Sequence, residues 1–198
     1  MYQKYFKRIF DIIISLIGLP FLILIYIPVS ILIKLEDGGP VFYNAMRIGK
    51  NGVPFRMYKF RTMKVNSPDI RLADGSTFNA LDDPRVTKTG KFLRESSLDE
   101  TPQLINILLG NMSFIGPRPD LNSNEKYATE SNIILTAKPG ITGYTQAYFR
   151  NETTWSEKIK NDLYYVEHLS FYLDLKIIFR TIYIVLKREK TYRREEKF

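Results

Sequence analysis

An adjacent pair of acids, Asp99 and Glu100, is the part of the sequence best suited to chemistry. A carboxylate beside phosphate-binding cations can hold Mg²⁺ or attack phosphorus, and a second carboxylate can take a proton. The pair also fits a structural role, since acids favour the first turn of a helix and Ser97 to Glu100 matches a capping box. Pro102 makes capping by Leu98 or Asp99 the better fit, because a cap at Ser97 would place the proline beyond the free first turn. The spacing alone allows both interpretations.

Cations lie on both sides of this acid pair. Residues 47–64 interleave Lys and Arg with aromatic side chains, and in a strand Lys59 and Arg61 would share one face. Two cations on one face suit a diphosphate, although an RNA-binding surface has a similar composition. After the pair, Arg118 stands between two prolines, which stiffen the backbone that aims its guanidinium. These residues predict a site for a phosphorylated ligand.

Composition narrows the classes of site. The chain has 198 residues and a formal net charge of +8, which indicates an anionic partner such as nucleic acid, a phosphorylated substrate or anionic lipid. With no cysteine, the sequence excludes thiol nucleophiles, disulfides, zinc–thiolate sites and iron–sulfur clusters. The single histidine, His168, argues against a histidine metal cage or a Ser-His-Asp triad.

An uncharged apolar run, residues 12–33, is long enough to cross a bilayer as a helix. It lacks the short apolar region and small-residue cleavage site of a signal peptide. Basic residues flank it on both sides, and such flanks prefer the cytoplasmic face of a membrane. Pro20 and Pro28 lie inside the run and favour a bend. We therefore favour a re-entrant hairpin, which enters and leaves by one leaflet, over a spanning anchor.

The remaining elements predict an α+β fold that is mostly helical with a small β-hairpin. Two strand-like segments flank the turn Lys50-Asn51-Gly52, and helical segments follow a long polar loop over residues 65–86. The last helical stretch is rich in aromatic residues, and it fits either a core helix or an amphipathic helix in the membrane interface. The predicted ranges are strands at 41–46 and 53–63, and helices at 88–95, 98–109 and 155–190, with a break near Ser170.

A series of motifs occurs in one order along most of the chain: FDIIISLIGLP, GGPVFY, RIGKNG, FRMYKFRTM, DPRVTKTGKFLRESSLDETPQL, NMSFIGPRPDL, PGITGY and YYVEHLSFYLDLKI. From about Tyr5 to Arg188 the sequence resembles the bacterial monotopic phosphoglycosyl transferases, also called polyprenyl-phosphate sugar-1-phosphate transferases. Its length is similar to that of the small, catalytic-core members. One departure is Ile23-Leu24, which stands where the family commonly has Ser-Pro.

The resemblance implies a two-step reaction that requires Mg²⁺. Asp99 would attack the β-phosphate of a UDP-sugar, release UMP and carry the phosphosugar, with Glu100 as its partner and Asp99 as the metal ligand. Undecaprenyl phosphate would then accept the phosphosugar. By motif match the resemblance also implies phosphate- or substrate-binding residues, which are Lys59, Arg61, Arg94 and Arg118, with Arg150 and Asp174 as weaker candidates.

The same resemblance predicts the organisation and location of the protein. Residues 1–36 are expected to form the re-entrant membrane helix, residues 37–190 the catalytic domain and residues 191–198 a basic tail. We expect a monotopic protein of the bacterial inner membrane, held at its cytoplasmic face among the membrane lipids, with no nucleic-acid partner. It would catalyse the first membrane step of a surface glycan pathway, such as capsule or lipopolysaccharide synthesis.

Two alternatives make different predictions. A peripheral membrane or nucleic-acid-binding protein could use the basic hairpin and tail, but this hypothesis leaves the acid pair and the order of the motifs unexplained. A glycosyltransferase that moves the sugar without its phosphate would release UDP instead of UMP.

Overall fold

The computed structural model describes residues 2–70, 78, 80, 82–119, 131–149 and 153–187. Seven α-helices occur in these ranges, and a small antiparallel hairpin and a short parallel strand pair accompany them. The helices are α1 (Lys7–Asp37), α2 (Lys88–Ser96), α3 (Gln103–Leu109), α4 (Ser131–Ile134), α5 (Tyr144–Tyr148), α6 (Trp155–Glu167) and α7 (Phe171–Leu186). The strands are β1 (Phe42–Ile48), β2 (Pro54–Phe60), β3 (Ser113–Ile115) and β4 (Gly140–Thr142). The predicted α+β class, mostly helical with a small hairpin, is confirmed.

Helix α1 is a single element of 31 residues. At 1.5 Å per residue it has a contour of about 46 Å, and within the described chain it is the one helix long and apolar enough to cross a membrane. Pro20 and Pro28 lie inside it, and neither divides it into two helices. Its buried positions follow one stripe, Asp11, Ser15, Leu22, Val29 and Ile33, while the other faces expose apolar side chains.

This stripe packs against the globular part along the length of α1. Leu22, Val29 and Ile33 form a core cluster with Phe60 of β2 and Leu93 of α2. Closer to the start of the helix, Gly18 lies so near Leu104 of α3 that a Cβ there would stand 2.9 Å from the leucine Cδ1. Most of the helix therefore lies alongside the domain.

The first turns of α1 are tied to the domain by buried polar groups. Lys7 forms an ion pair with Asp174 of α7, and the hydroxyl of Tyr165 donates to the same carboxylate at 2.8 Å. Asp11 accepts hydrogen bonds from the Ser113 hydroxyl and the Phe114 N–H, both at 3.0 Å. Buried charges persist when they are paired in this way, and these pairs attach the start of α1 to β3 and α7.

The last turn of α1 is tied to the same domain. Asp37 forms a two-pronged ion pair with Arg61, just beyond β2. Glu36 accepts hydrogen bonds from the N–H groups of Lys88 and Thr89, at 2.6 and 3.0 Å, at the start of α2. A carboxylate at this position satisfies free amides and complements the positive end of the helix dipole. Both ends of α1 are thus bound to one globular body.

Helix α7 has two unlike faces. Asp174, Ile177 and Ile184 are buried, and Ile177 packs in a core with Tyr165 and Ile115. The opposite side exposes large hydrophobic residues, namely Phe171, Tyr172, Phe179, Ile182 and Leu186. The helix serves the core and has the amphipathic character predicted for the membrane interface. The break at Ser170 is confirmed, since its hydroxyl caps α7 by accepting from the Leu173 N–H. The basic tail, residues 191–198, lies outside the described residues.

Candidate active site

The acid pair lies in a short 3₁₀ turn, Leu98–Glu100, between α2 and α3. Ser97 has a left-handed conformation (φ 57°) and ends α2, so the chain reverses just before the pair. The Ser97 side chain makes no capping hydrogen bond, and α3 begins after Pro102 without a side-chain cap. The capping interpretation and the continuous helix over 98–109 are therefore wrong, although the predicted helix end at Gly110 is correct.

Both carboxylates turn instead toward one ammonium group. Lys59 Nζ lies 3.1 Å from Asp99 Oδ2 and 2.9 Å from Glu100 Oε1. Asp99 is buried, with 7% of its surface exposed, and Glu100 is largely covered. A cation shared by two buried carboxylates offsets both their repulsion and their loss of hydration.

Asn106 positions the strand that carries Lys59. Its side chain is fully buried in α3, accepts a hydrogen bond from the Tyr58 N–H at 2.9 Å and donates to the Arg56 carbonyl at 2.7 Å. These bonds replace strand partners that β2 lacks on this side, so they join β2 to the helix that follows the acid pair. Sequence reasoning missed Asn106, because a polar residue in a short helix gives no signal that it is buried.

Arg118 reaches the site from a loop held by backbone contacts. Its Nη2 lies 3.3 Å from Glu100 Oε1, and its side chain is 46% exposed. The Gly116 N–H donates to the Thr142 carbonyl and the Gly140 N–H donates to the Pro117 carbonyl, both at 2.9 Å. A Cβ on Gly116 would stand 2.2 Å from the Lys138 carbonyl oxygen, so only glycine permits this approach. Residues 139–143 (PGITG) therefore support the neighbouring loop that orients Arg118.

Arg94 lies on α2, in the last turn before the acid pair. Its Nε donates to the Thr62 hydroxyl at 3.0 Å. Gly90 lets α2 approach residue 62 closely, since a Cβ there would stand 2.0 Å from the Thr62 carbonyl oxygen. The pKa of Asp99 is raised overall, and the charge of Arg94 opposes this rise. The guanidinium therefore lies within electrostatic reach of the pair.

The two acids have opposite electrostatic environments. Burial raises the pKa of Asp99, and the neighbouring Glu100 raises it further, against the opposing charge of Lys59. For Glu100, Lys59 and Arg118 outweigh the effect of burial and lower the pKa to about 2. The pKa of Lys59 is raised because the two carboxylates outweigh its burial. Lys59 and Glu100 are therefore ionised at neutral pH, while Asp99 is the acid whose charge is held least firmly.

The remaining predicted residues lie elsewhere. Arg61 falls beyond the end of β2 and pairs with Asp37, and Asp174 is buried against Lys7, Tyr165 and Tyr2. The structure therefore gives both residues contacts that hold α1, and it does not bring either into the Asp99–Glu100–Lys59 cluster. Arg150 lies outside the described residues.

The chemistry of the cluster suits a phosphate that bears a leaving group. One carboxylate is buried with a raised pKa, and the cations around it, Lys59, Arg94 and Arg118, fit the charge of a phosphoryl group. Within the described ranges no three His, Cys, Asp or Glu side chains gather as a metal site. The acid pair alone still fits Mg²⁺, which is commonly held by one or two carboxylates together with substrate phosphates and water.

Comparison with known proteins identifies the family. A family model described as "Bacterial sugar transferase" matches residues 2–188. The chain belongs to this family. Membership in the bacterial sugar transferases confirms the resemblance found in the ordered motifs.

Several relatives match most of this chain. The undecaprenyl-phosphate galactose phosphotransferase of Salmonella typhimurium is 36% identical over 206 residues, which cover 96% of this chain and 42% of that protein. The UDP-glucose:undecaprenyl-phosphate glucose-1-phosphate transferase of Klebsiella pneumoniae is 41% identical over 187 residues (90% and 39%). Exopolysaccharide production protein ExoY of Sinorhizobium fredii is 39% identical over 188 residues (89% and 83%). The chain thus spans about two fifths of the first two relatives and most of the third.

Proposed function

We propose that this bacterial sugar transferase moves a sugar-1-phosphate from a UDP-sugar to undecaprenyl phosphate through a covalent intermediate on Asp99. The observation that carries the proposal is the buried Asp99–Glu100 pair, joined by Lys59 and reached by Arg118. The names of two relatives support undecaprenyl phosphate as the acceptor, and one of them names UDP-glucose as the donor. The name of a third relative supports a role in the synthesis of an exopolysaccharide or a similar surface glycan.

The reaction has two substitutions at one phosphorus atom. In the first, an Asp99 carboxylate oxygen bonds to the phosphorus that carries the sugar, and the bond from that phosphorus to the bridging oxygen breaks, which releases UMP. In the second, an oxygen of undecaprenyl phosphate bonds to the same phosphorus and the bond to Asp99 breaks. The product is a lipid-linked diphosphosugar, and the carboxylate is restored.

Residues around Asp99 have separate roles in this scheme. Lys59 favours the ionised form of the buried Asp99 carboxylate and then faces the negative charge of the incoming phosphate. Arg118 and Arg94 approach from two different elements, and their guanidinium groups suit phosphate oxygens. Glu100 is the partner carboxylate, which holds Lys59 and Arg118 in place.

Mg²⁺ belongs to the same proposal. Asp99 is the proposed ligand, and the adjacent Glu100 provides a second oxygen donor of the type that this cation prefers. When bound, the cation would offset charge on the phosphates of the donor.

A helix with both ends on one body supports a membrane location at a single leaflet. We propose that α1 is re-entrant in the inner membrane, with residues 1–36 in or at the cytoplasmic leaflet and the domain over residues 37–190 on the cytoplasmic face. The ion pairs at Lys7 and Asp37 support this topology, because a spanning helix would place one of these contacts across the bilayer. Exposed aromatic residues of α7 would add an interfacial contact.

Cysteine labelling tests this topology. The chain has no cysteine, so Gln3→Cys and Pro40→Cys each introduce one label site, at exposed positions on either side of α1. In sealed inner-membrane vesicles of known orientation, we expect an impermeant maleimide to label both sites from the cytoplasmic face. Lys160→Cys, at an exposed position of α6, shows on which side of the membrane the domain lies. Labelling of positions 3 and 40 from opposite faces would establish a spanning helix instead.

A panel of UDP-sugars tests the reaction. Purified protein with undecaprenyl phosphate, Mg²⁺ and each UDP-sugar in turn is expected to release UMP with at least one donor. Release of UDP would identify a sugar transfer without phosphate. Absence of both products with every donor, together with binding of RNA or DNA, would favour a nucleic-acid-binding protein.

Arg118→Lys separates a phosphate contact from a packing role. Lysine keeps the charge but loses the planar fork, so we expect kcat/KM to fall about tenfold, equivalent to about 1.4 kcal/mol of transition-state stabilisation. Stability should change little, because the side chain is half exposed. The control is Arg56→Lys, the same change at an exposed arginine of β2. An unchanged kcat/KM in Arg118→Lys would assign this arginine to structure.

A further inference from the structure

Three cations outside the active site gather near the start of α1. Arg8 Nη2 and Lys138 Nζ each lie 3.6 Å from the point where a Cβ on Gly110 would stand, so the two nitrogens are at most about 7.2 Å apart. Gly110 ends α3 in a left-handed conformation (φ 86°), and its missing side chain leaves this point open. Lys50 lies in the hairpin turn next to Asn51, whose N–H donates to the Leu135 carbonyl, three residues before Lys138, and the charge of Lys50 acts on Lys138.

Within the residues that the structure describes, no ion pair joins an acid to Arg8, Lys50 or Lys138. Arg8 donates to the Ile107 and Leu108 carbonyls at the end of α3, which accounts for its position. Lys138 has no hydrogen bond or ion pair to any part of the chain that the structure describes. Burial lowers the pKa of Lys138, Arg8 and Lys50 lower it further, and Asp11 opposes this decrease.

Asp11 is already committed to other groups. Its carboxylate accepts from Ser113 and Phe114, as described for the start of α1. Among the described residues, the three cations face this single carboxylate, which leaves an excess of two positive charges, and Lys7 nearby is balanced by Asp174. A half-buried lysine beside an arginine, with no acid paired to it in the described chain, is unfavourable, and a bound anion would relieve this repulsion.

The size and chemistry of the gap favour a phosphate group. An anion that accepts charge-assisted hydrogen bonds of about 2.8 Å from both sides spans a separation of this order. Arg8 offers a planar donor and Lys138 a compact charge, a combination that suits tetrahedral phosphate oxygens.

The location favours a lipid as the source of this phosphate. Arg8 lies in the first turn of the apolar helix, and its neighbours Phe6 and Ile9 are 56% and 53% exposed. Cations directly beside exposed apolar side chains are typical of the depth of lipid headgroups, where the stem lies among hydrocarbon and the charge meets phosphate.

We propose that Arg8, Lys138 and Lys50 form a binding site for the phosphate of an anionic lipid headgroup, separate from the Asp99 site. The site lies between the start of α1, the end of α3 and the loop before β4. It holds a lipid at the junction of the membrane helix and the domain, and it does not depend on the proposed transfer reaction.

Lysine labelling on the full chain tests this site. The protein is purified in a neutral detergent, and the micelles contain either phosphatidylglycerol or phosphatidylcholine, whose choline offsets its phosphate. The rate of acetylation by an amine-reactive reagent is measured by mass spectrometry for Lys138 and for Lys160, an exposed lysine of α6. We expect phosphatidylglycerol to slow acetylation of Lys138 about fivefold relative to Lys160. Equal slowing of the two lysines would overturn the site.

A variant and a soluble anion complete the test. Phosphatidylglycerol is expected to raise the Tm of the unmodified protein and of Lys160→Ala, and Lys138→Ala should lose most of this rise. A full rise in Lys138→Ala would overturn the proposal. Millimolar inorganic phosphate in lipid-free detergent is expected to leave Lys138 reactive, and equal protection by phosphate would overturn the assignment to a lipid. The labelling experiment uses the unmodified chain, so it decides the question even if the variant does not fold.

Discussion

Asp99→Asn is expected to abolish the covalent step. With a UDP-sugar and no lipid acceptor, the unmodified protein should release UMP in a burst of at most about one per active site and gain the mass of one phosphosugar. Asparagine has no carboxylate to bond to phosphorus, so the variant should show neither the burst nor the added mass. We expect turnover to fall at least about 10⁴-fold, as it does when other covalent nucleophiles are removed. Intact-protein mass spectrometry and UMP release measure both effects.

The fold should survive this change. The substitution removes a buried carboxyl group whose pKa is raised by burial. Lys59 would keep Glu100 as its partner. The Tm of Asp99→Asn is therefore expected to stay near that of the unmodified protein. Glu95→Gln, at the end of α2, is the matched control and should keep the burst. A fully active Asp99→Asn protein would end the covalent proposal, because the observed geometry assigns Asp99 no capping role that asparagine would reproduce.

Lys59→Met is expected to move the pH dependence of the reaction as well as its rate. The nucleophile must be ionised, and burial already raises the pKa of Asp99. Lys59 lowers that pKa, so its removal leaves Asp99 beside the negative charge of Glu100 and raises the pKa further. The acid limb of kcat/KM should shift to higher pH, and activity at neutral pH should fall at least about 100-fold with partial recovery on the alkaline side.

Two companion variants separate this effect from a loss of charge or of fold. Lys59→Arg keeps a cation between the carboxylates and should keep the acid limb close to its original position. Lys91→Met removes a charge from an exposed position of α2 and should leave the profile unchanged. An unshifted acid limb in a folded Lys59→Met protein would show that Lys59 does not control the ionisation of Asp99.

The hairpin shows what can be predicted from local sequence. Lys50-Asn51-Gly52 forms the turn, Asn51 and Gly52 adopt positive φ, and Phe42 to Ile48 pair with Phe60 to Pro54. The predicted helix end at Gly110 and the predicted break near Ser170 are also correct. These features depend on the conformational freedom of glycine and asparagine or on one side-chain hydrogen bond. All the residues involved lie within one short segment of the sequence.

Arg61 shows the opposite case. An extended strand would have placed it on the same face as Lys59, but β2 ends at Phe60 and the arginine pairs with Asp37. The length of a strand depends on its partner, and the position of a buried cation depends on which acid is close in the folded chain. Asp37 is 24 residues away in sequence, so no local pattern links the two.

The sequence by itself determined the family, the mainly helical α+β class, the apolar first helix and the identity of the acid pair. These properties follow from motifs, hydropathy and residue types, which are local. Only the tertiary structure decided that Lys59 joins Asp99 and Glu100, that Asn106 holds its strand and that both ends of α1 meet one body. Each of these contacts joins residues far apart in the chain, and the energy of a buried charge depends on the partner that folding brings to it.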